Sequence, residues 1–159
     1  MLISNEWLKD YVNVDQSVQA LAERITRTGI EVDDIIDYTK DIKKLVVGHV
    51  LSKTPHPDAD KLNICQVDLG EEEPVQIVCG APNVDEGQHV IVAKVGGRLP
   101  GGIKIKRAKL RGERSEGMIC SLQEIGISSH VTPKNYESGI YVFPEAVKPG
   151  TDALEALYL

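Results

Sequence analysis

Leu62-Asn63-Ile64-Cys65-Gln66-Val67-Asp68 alternates apolar and polar side chains, which is the period of a half-buried β-strand. Upstream, Leu45-Val46-Val47-Gly48-His49-Val50-Leu51 reads as a second strand, followed by a loop holding Pro55 and Pro57. Downstream, Gly70 and Glu71 to Glu73 turn the chain into Val75 to Cys79, and a Gly80-Ala81-Pro82-Asn83 loop leads on to Val90 to Val95. Gly96, Gly97, Gly101 and Gly102 interrupt the pattern, and Gly117 to Cys120 and Gly139 to Phe143 complete the strand set. A short helix is expected at Ser121 to Ile125. Short strands with Gly and Pro turns around one small helix imply a mainly β chain with a small closed or nearly closed barrel.

The flanks read differently. Ser4 can cap a first turn through Trp7, Leu8 and Tyr11. Asp15 can cap a second helix whose apolar stripe is Val18, Leu21, Ala22 and Ile25, with Gly29 as its stop. Ile30 to Ile36 could follow as a strand, and the polar run 39–44 marks a boundary. Pro149-Gly150 ends the barrel, and Thr151 can cap a short helix with Leu154 and Leu157. The expected division is 1–39, 40–150 and 151–159. On this reading the two ends of the chain pack together as an incomplete α/β domain, into which the barrel is inserted.

A length of 159 residues, 42% hydrophobic and 26% charged, suits a globular chain with a core and argues against disorder. No apolar run reaches membrane-spanning length, and Glu6, Lys9 and Asp10 interrupt any secretory core at the start. Cys65, Cys79 and Cys120 form no CxxC pair, which fits reduced thiols in the cytoplasm. His49, His56, His89 and His130 match no zinc spacing, so no metal site is expected. No Ser, His and acid form a triad and no glycine loop has phosphate-binding spacing, so no catalytic residue is assigned.

Charge provides the binding signal. The chain carries a net -6, yet Arg98 to Arg114 holds seven Lys or Arg residues against the single acid Glu113. Such a local cluster on an acidic chain suggests one polyanion-binding face, and its plain alternative is a solvated hairpin. Lys104 and Lys106 straddle Ile105, so on a strand both ammonium groups share a face while Ile105 points to the core. Arg107, Lys109, Arg111 and Arg114 extend the charge around a turn at Gly112, and Arg98 precedes it. Lys61 adds a cation in the loop with Asp58 and Asp60, a carboxylate pair read as turn architecture. Ser115 reads as a local backbone cap. No aromatic residue lies between Thr39 and Lys134, so base-stacking platforms are scarce and phosphate contacts should dominate.

Pro57-Asp58-Ala59-Asp60-Lys61-Leu62, Val78-Cys79-Gly80-Ala81-Pro82-Asn83 and Lys109-Leu110-Arg111-Gly112-Glu113-Arg114-Ser115-Glu116-Gly117-Met118 resemble, in order, the signatures of the tRNA-binding OB-fold domain. Ile3-Ser4-Asn5-Glu6-Trp7-Leu8-Lys9-Asp10-Tyr11-Val12, Thr28-Gly29-Ile30-Glu31-Val32-Asp33 and Cys120-Ser121-Leu122-Gln123-Glu124-Ile125-Gly126 are similar to bacterial phenylalanine–tRNA ligase β subunits. The resemblance covers essentially the whole chain.

It implies a small OB-fold barrel inserted in the first domain of a much longer subunit, paired with a catalytic α subunit in an α2β2 class II aminoacyl-tRNA synthetase. The ATP, Mg2+ and phenylalanine site would belong to α, and the editing site would lie in β beyond residue 159. The partners implied are phenylalanine-specific tRNA and the α subunit, with no membrane and no DNA. The segment Ser128 to Ser138, with His130, Pro133, Lys134 and Tyr136, departs from the compact family form and reads as an extended surface loop, either inert or adding one cationic and one aromatic contact. Three functional readings stand: a tRNA-binding module, a structural scaffold, and a free-standing tRNA chaperone, which the N-terminal motifs disfavour.

Overall fold

A computed structural model describes residues 1–37 and 39–157. They form two compact units, Met1–Asp37 and the chain from residue 38 onward.

The second unit is built on an antiparallel meander, β1 (Lys43–Pro55), β2 (Asn63–Asp68) and β3 (Val75–Cys79). β4 (His89–Leu99) pairs with the other edge of β1, and β5 (Ile103–Lys104) pairs with β4, giving the order β3-β2-β1-β4-β5. β6 (Ala108–Leu110) and β7 (Glu113–Ser115) form a separate hairpin, and β8 (Met118–Ile119) returns to β4. The β3 edge is bridged to the hairpin. Val78 N–H donates to the buried Ser115 Oγ at 3.1 Å, and Glu116 N–H donates to the Gln76 carbonyl at 2.8 Å. This curls the sheet into a partly open barrel of the OB type. Ser115 Oγ also donates to Gly117 O at 3.1 Å, so the residue read as a local cap is a seam residue as well.

Alternation along the strands explains the core. Val50, Cys65, Val67, Ile77, Val90, Val92 and Ile119 pack together in one cluster. Leu45, Val47, Ile91, Ala93 and Leu99 pack in a second cluster with Leu122, Ile125, Phe143 and Ala153. Val90-Ile91-Val92-Ala93 is therefore buried on both faces, which is why its sequence lacks a polar position. On β1, a Cβ at Gly48 would stand 2.7 Å from Val67 Cγ1 and Val92 Cγ2, so only glycine fits there.

Several expectations need correction. Ser121 to Ile125 is a single turn, not a helix. Glu124 N–H donates to Ser121 Oγ and Ser121 N–H to the Glu124 carboxylate, a complete capping box. Gly126, at φ +90°, then ends the turn as Ile127 N–H donates to Leu122 O. Start and stop signals leave room for one turn only. Gly139 to Phe143 is not a full strand: it makes one bridge, Val142 to Val90, beside a bond from Phe143 N–H to His89 O.

The first unit holds helices α1 (Asn5–Lys9) and α2 (Val18–Arg27). Ser4 caps the first as read, whereas Ser17 caps the second in place of Asp15, because Ser17 Oγ accepts from Ala20 N–H at 3.2 Å. Neither helix contains a buried residue. Residues 30–36 form no ladder among the described residues; Val32 N–H donates to Thr26 Oγ1 instead. A strand needs a partner edge, and none is supplied within this unit.

The tail helix α3 (Ala153–Ala156), which belongs to the second unit, is capped by Asp152, not Thr151. A carboxylate reaches two N–H groups here, those of Leu154 and Glu155. The ladder between β1 and β2 begins at His49, which leaves the edge of Val46–Val47 open. Residues 150–152 fill it, with Val47 N–H donating to Thr151 O and Gly150 N–H to Val47 O, both at 2.8 Å. Ala153 is fully buried in the second cluster.

Candidate nucleic-acid interface

The basic segment divides into two stations. At the first, β5 sets Lys104 directly beside Arg98 of β4. Gly96 N–H donates to Ile105 O at 2.8 Å and Ile105 N–H donates to Gly97 O at 3.0 Å, holding the segment to the sheet. Ile105 is buried while Lys104 and Lys106 on either side are exposed, as the alternation requires. Arg98 is half-buried.

The second station is the β6–β7 hairpin, where Lys109 pairs with Arg114 across the strands. Its two-residue turn carries Arg111 at φ +50° and Gly112 at φ +92°, the double positive φ of a type I′ turn. Glycine accepts that backbone without cost; arginine does not. Arg114 Nη2 and Arg107 Nε each lie 3.4 Å from Glu116 Oε1. Two of the assigned cations are thus partly neutralised by an acid just past the counted run. Ion pairing of this kind depends on where side chains point, which a count along the chain does not capture.

Lys61 reaches the second station. It lines a shallow depression with Asp58, Asp60 and Arg111. His56 makes that possible. It is 5% exposed, its Nδ1 accepts from Asp58 N–H at 3.0 Å, and its Nε2 lies 2.9 Å from Leu110 O. Since a carbonyl can only accept, Nε2 carries the proton and the ring is the neutral Nε2–H tautomer. His56 N–H also donates to Leu62 O at 3.0 Å. One residue therefore holds the neighbours of both Lys61 and Arg111. A histidine between two prolines suggests only a polar loop, and no sequence signal gives its reach to residue 110.

Other groups take no part in this face. Tyr136 and Tyr141 pack at 4.9 Å between ring centroids, Phe143 stacks edge-on against Tyr141 at 5.1 Å, and the Tyr136 hydroxyl donates to Val142 O. Tyr136, read as a possible aromatic contact in the 128–138 loop, is therefore committed to packing. His130 and Lys134 of that loop are exposed. Burial pushes the Cys65 thiol up to about 11 and the Cys120 thiol up to about 12, and raises Cys79 as well. All three stay protonated at neutral pH and behave as core filler, not nucleophiles. Among the described residues no group of three His, Cys, Asp or Glu side chains gathers to hold a metal ion. No described helix is long and apolar enough to cross a membrane.

A small OB-type barrel with a cationic sheet end and an aromatic-poor surface has the form of a nucleic-acid-binding module. Residues 45–152 match the family described as "Putative tRNA binding domain", and the chain belongs to that family. Over all 159 residues it is 99% identical to the phenylalanine–tRNA ligase beta subunit of Staphylococcus epidermidis RP62A. It is 84% identical to that of Staphylococcus aureus USA300. It spans 20% of the length of each of these relatives. Among solved structures, it is similar to the C-terminal domain of Plasmodium vivax p43, with a TM-score of 0.47 and 24% identity over 73% of this chain and 61% of that one. A MetRS related protein from Pyrococcus horikoshii gives a TM-score of 0.48 and 22% identity over 77% of this chain and 97% of that one.

Proposed function

We propose that this chain is the tRNA-binding module of a phenylalanine–tRNA ligase β subunit and that it grips the phosphate backbone without reading bases. The observation that carries this reading is the pairing of Arg98 with Lys104, flanked by Lys106, on a domain of the tRNA-binding family, with no ion pair to an acid among the described residues. Lys61, Lys109 and Arg111 form a second, smaller contact, and Arg107 and Arg114 contribute only as far as Glu116 releases them. The scarcity of exposed aromatic rings near these cations supports electrostatic grip over stacking.

In the parent enzyme the module works in the cytoplasm beside an α subunit in an α2β2 assembly. The α subunit supplies the ATP- and Mg2+-dependent attachment of phenylalanine, and this chain supplies no catalytic group. Residues 1–39 begin an α/β domain that the barrel interrupts, while α3, within 151–159, packs on the barrel core. The absence of any buried residue in α1 and α2 supports that division, because a unit of 37 residues is too small to complete a core alone.

The test is a tRNA titration across a salt series. Reversing Lys104 and Lys106 together should weaken binding about tenfold or more at low salt, equally for cognate and non-cognate tRNA. It should also reduce the salt slope by about 0.7–0.9 for each phosphate no longer neutralised. Reversing Glu71 to Glu73, on another turn, should leave binding equal or slightly stronger. An unchanged affinity and slope in the lysine double variant would favour the scaffold reading.

A further inference from the structure

Lys43 and Lys44 lie in the polar run that the sequence marks only as a boundary, yet β1 begins there. The register places Lys43 opposite Arg98, which in turn lies opposite Lys104. Three cations thus stand side by side on three adjacent strands, spaced about 4.8 Å apart at the backbone and directed to one face. Like charges at directly paired positions repel. No ion pair relieves them among the described residues.

Lys44 adds a second unfavourable feature. Its backbone is left-handed, at φ +56°, where a lysine is strained, and its Nζ lies 3.1 Å from where a Cβ on Gly96 would stand. That brings the ammonium over Gly96, whose N–H donates to Ile105 O. At Gly97, which is buried, a Cβ would stand 2.8 Å from the carbonyls of Lys43 and Lys94, so only glycine lets β1 and β4 close up beside these lysines. Repulsion and backbone strain gathered at one exposed place point to a ligand that relieves them.

We propose that Lys43 and Lys44 join Arg98, Lys104 and Lys106 in one docking face for consecutive phosphates of an RNA strand. This rests on the tRNA-binding reading above and extends the face to a strand outside the basic segment.

The experiment compares this chain with its K43E/K44E, K43Q/K44N and K104E/K106E variants by tRNA titration across about 50–200 mM salt and by melting temperature at both ends of that range. Asn tolerates the left-handed backbone, so K43Q/K44N removes charge with least disturbance of the fold. Expected is an affinity loss of about tenfold for K43E/K44E at low salt, with a slope reduced by about 0.7–0.9 for each phosphate released and a smaller loss for K43Q/K44N. The melting temperature of K43E/K44E at low salt should equal or exceed that of the original chain, because a Glu opposite Arg98 replaces repulsion by attraction. If K104E/K106E loses affinity while K43Q/K44N and K43E/K44E keep both affinity and slope, this inference is overturned and the tRNA-binding reading survives. If no variant loses affinity, both fall together. A loss of binding that merely tracks a lower melting temperature in both variants at 43 and 44 would also overturn the inference, by showing a structural role.

Discussion

Along the chain the hairpin holds more cations than the sheet end, and the two differ in what surrounds them. At the sheet end, Arg98 and Lys104 face one another from paired strands, with no acid bonded to either among the described residues. At the hairpin, Arg114 shares Glu116 with Arg107, and Gln76 Nε2 donates to Arg114 O to tie the element to β3. The first station joins the main sheet through paired strands, the second through one backbone bond, Glu116 N–H to Gln76 O, and a few side-chain bonds. A count of charges along the chain overstates the hairpin and misses Lys43 and Lys44, because availability depends on the partner each charge meets in space.

The largest expected effect that would sharpen this contrast is loss of the His56 tether. His56→Asn keeps an oxygen able to accept from Asp58 N–H but is too short to reach Leu110 O. The buried imidazole bond should cost about 1–2 kcal/mol of stability, measurable by denaturant unfolding. Hydrogen exchange should accelerate in 108–115 and leave 98–105 unchanged. Equal acceleration at both stations would break the comparison, since it would mean that the hairpin is not separately anchored.

A smaller effect is expected from Glu116→Gln. Freeing Arg107 and Arg114 should strengthen tRNA binding about two- to threefold at low salt and steepen its salt dependence, within the modest range of exposed ion pairs. Weaker binding in this variant would show that Glu116 positions the arginines productively instead of masking them.

The smallest effect concerns pH at the far end of the β1–β4 ladder. His49 and His89 are paired there and their rings stack at 4.4 Å, 3° from parallel. Desolvation, and secondarily the charge of His49, hold the His89 pKa below its ordinary value of 6.5. The folded state therefore binds fewer protons than the unfolded state in this window. Its stability is fully present above about pH 6.5 and declines as pH falls below it, down to the lowered folded value. Denaturant unfolding between about pH 7.5 and 5 should show this slope, and His89→Gln should flatten it. A slope that persists in His89→Gln would assign the acid sensitivity elsewhere.

Much of the barrel is legible in the chain because strands write their period directly into it. Asn63–Asp68 alternates, and Val75–Cys79 falls at the expected residues. The turn at Ser121 defeats the helix expectation for a local reason: its cap and its stop are both visible, but they stand only one turn apart. The caps at Ser17 and Asp152 escape a reading by residue type because two polar residues compete at each helix start and geometry chooses between them.

Strand period, the inward placement of Ile105 between two outward lysines, and the excess of positive charge from Arg98 to Arg114 are properties of the chain alone. Each depends on neighbours a few residues apart. Folding was needed to set Lys43 against Arg98, to give Glu116 to two arginines, and to bring His56 to Leu110, 54 residues away. Register and side-chain reach are set when separate strands pack against one core, and side chains distant in the chain become neighbours only then.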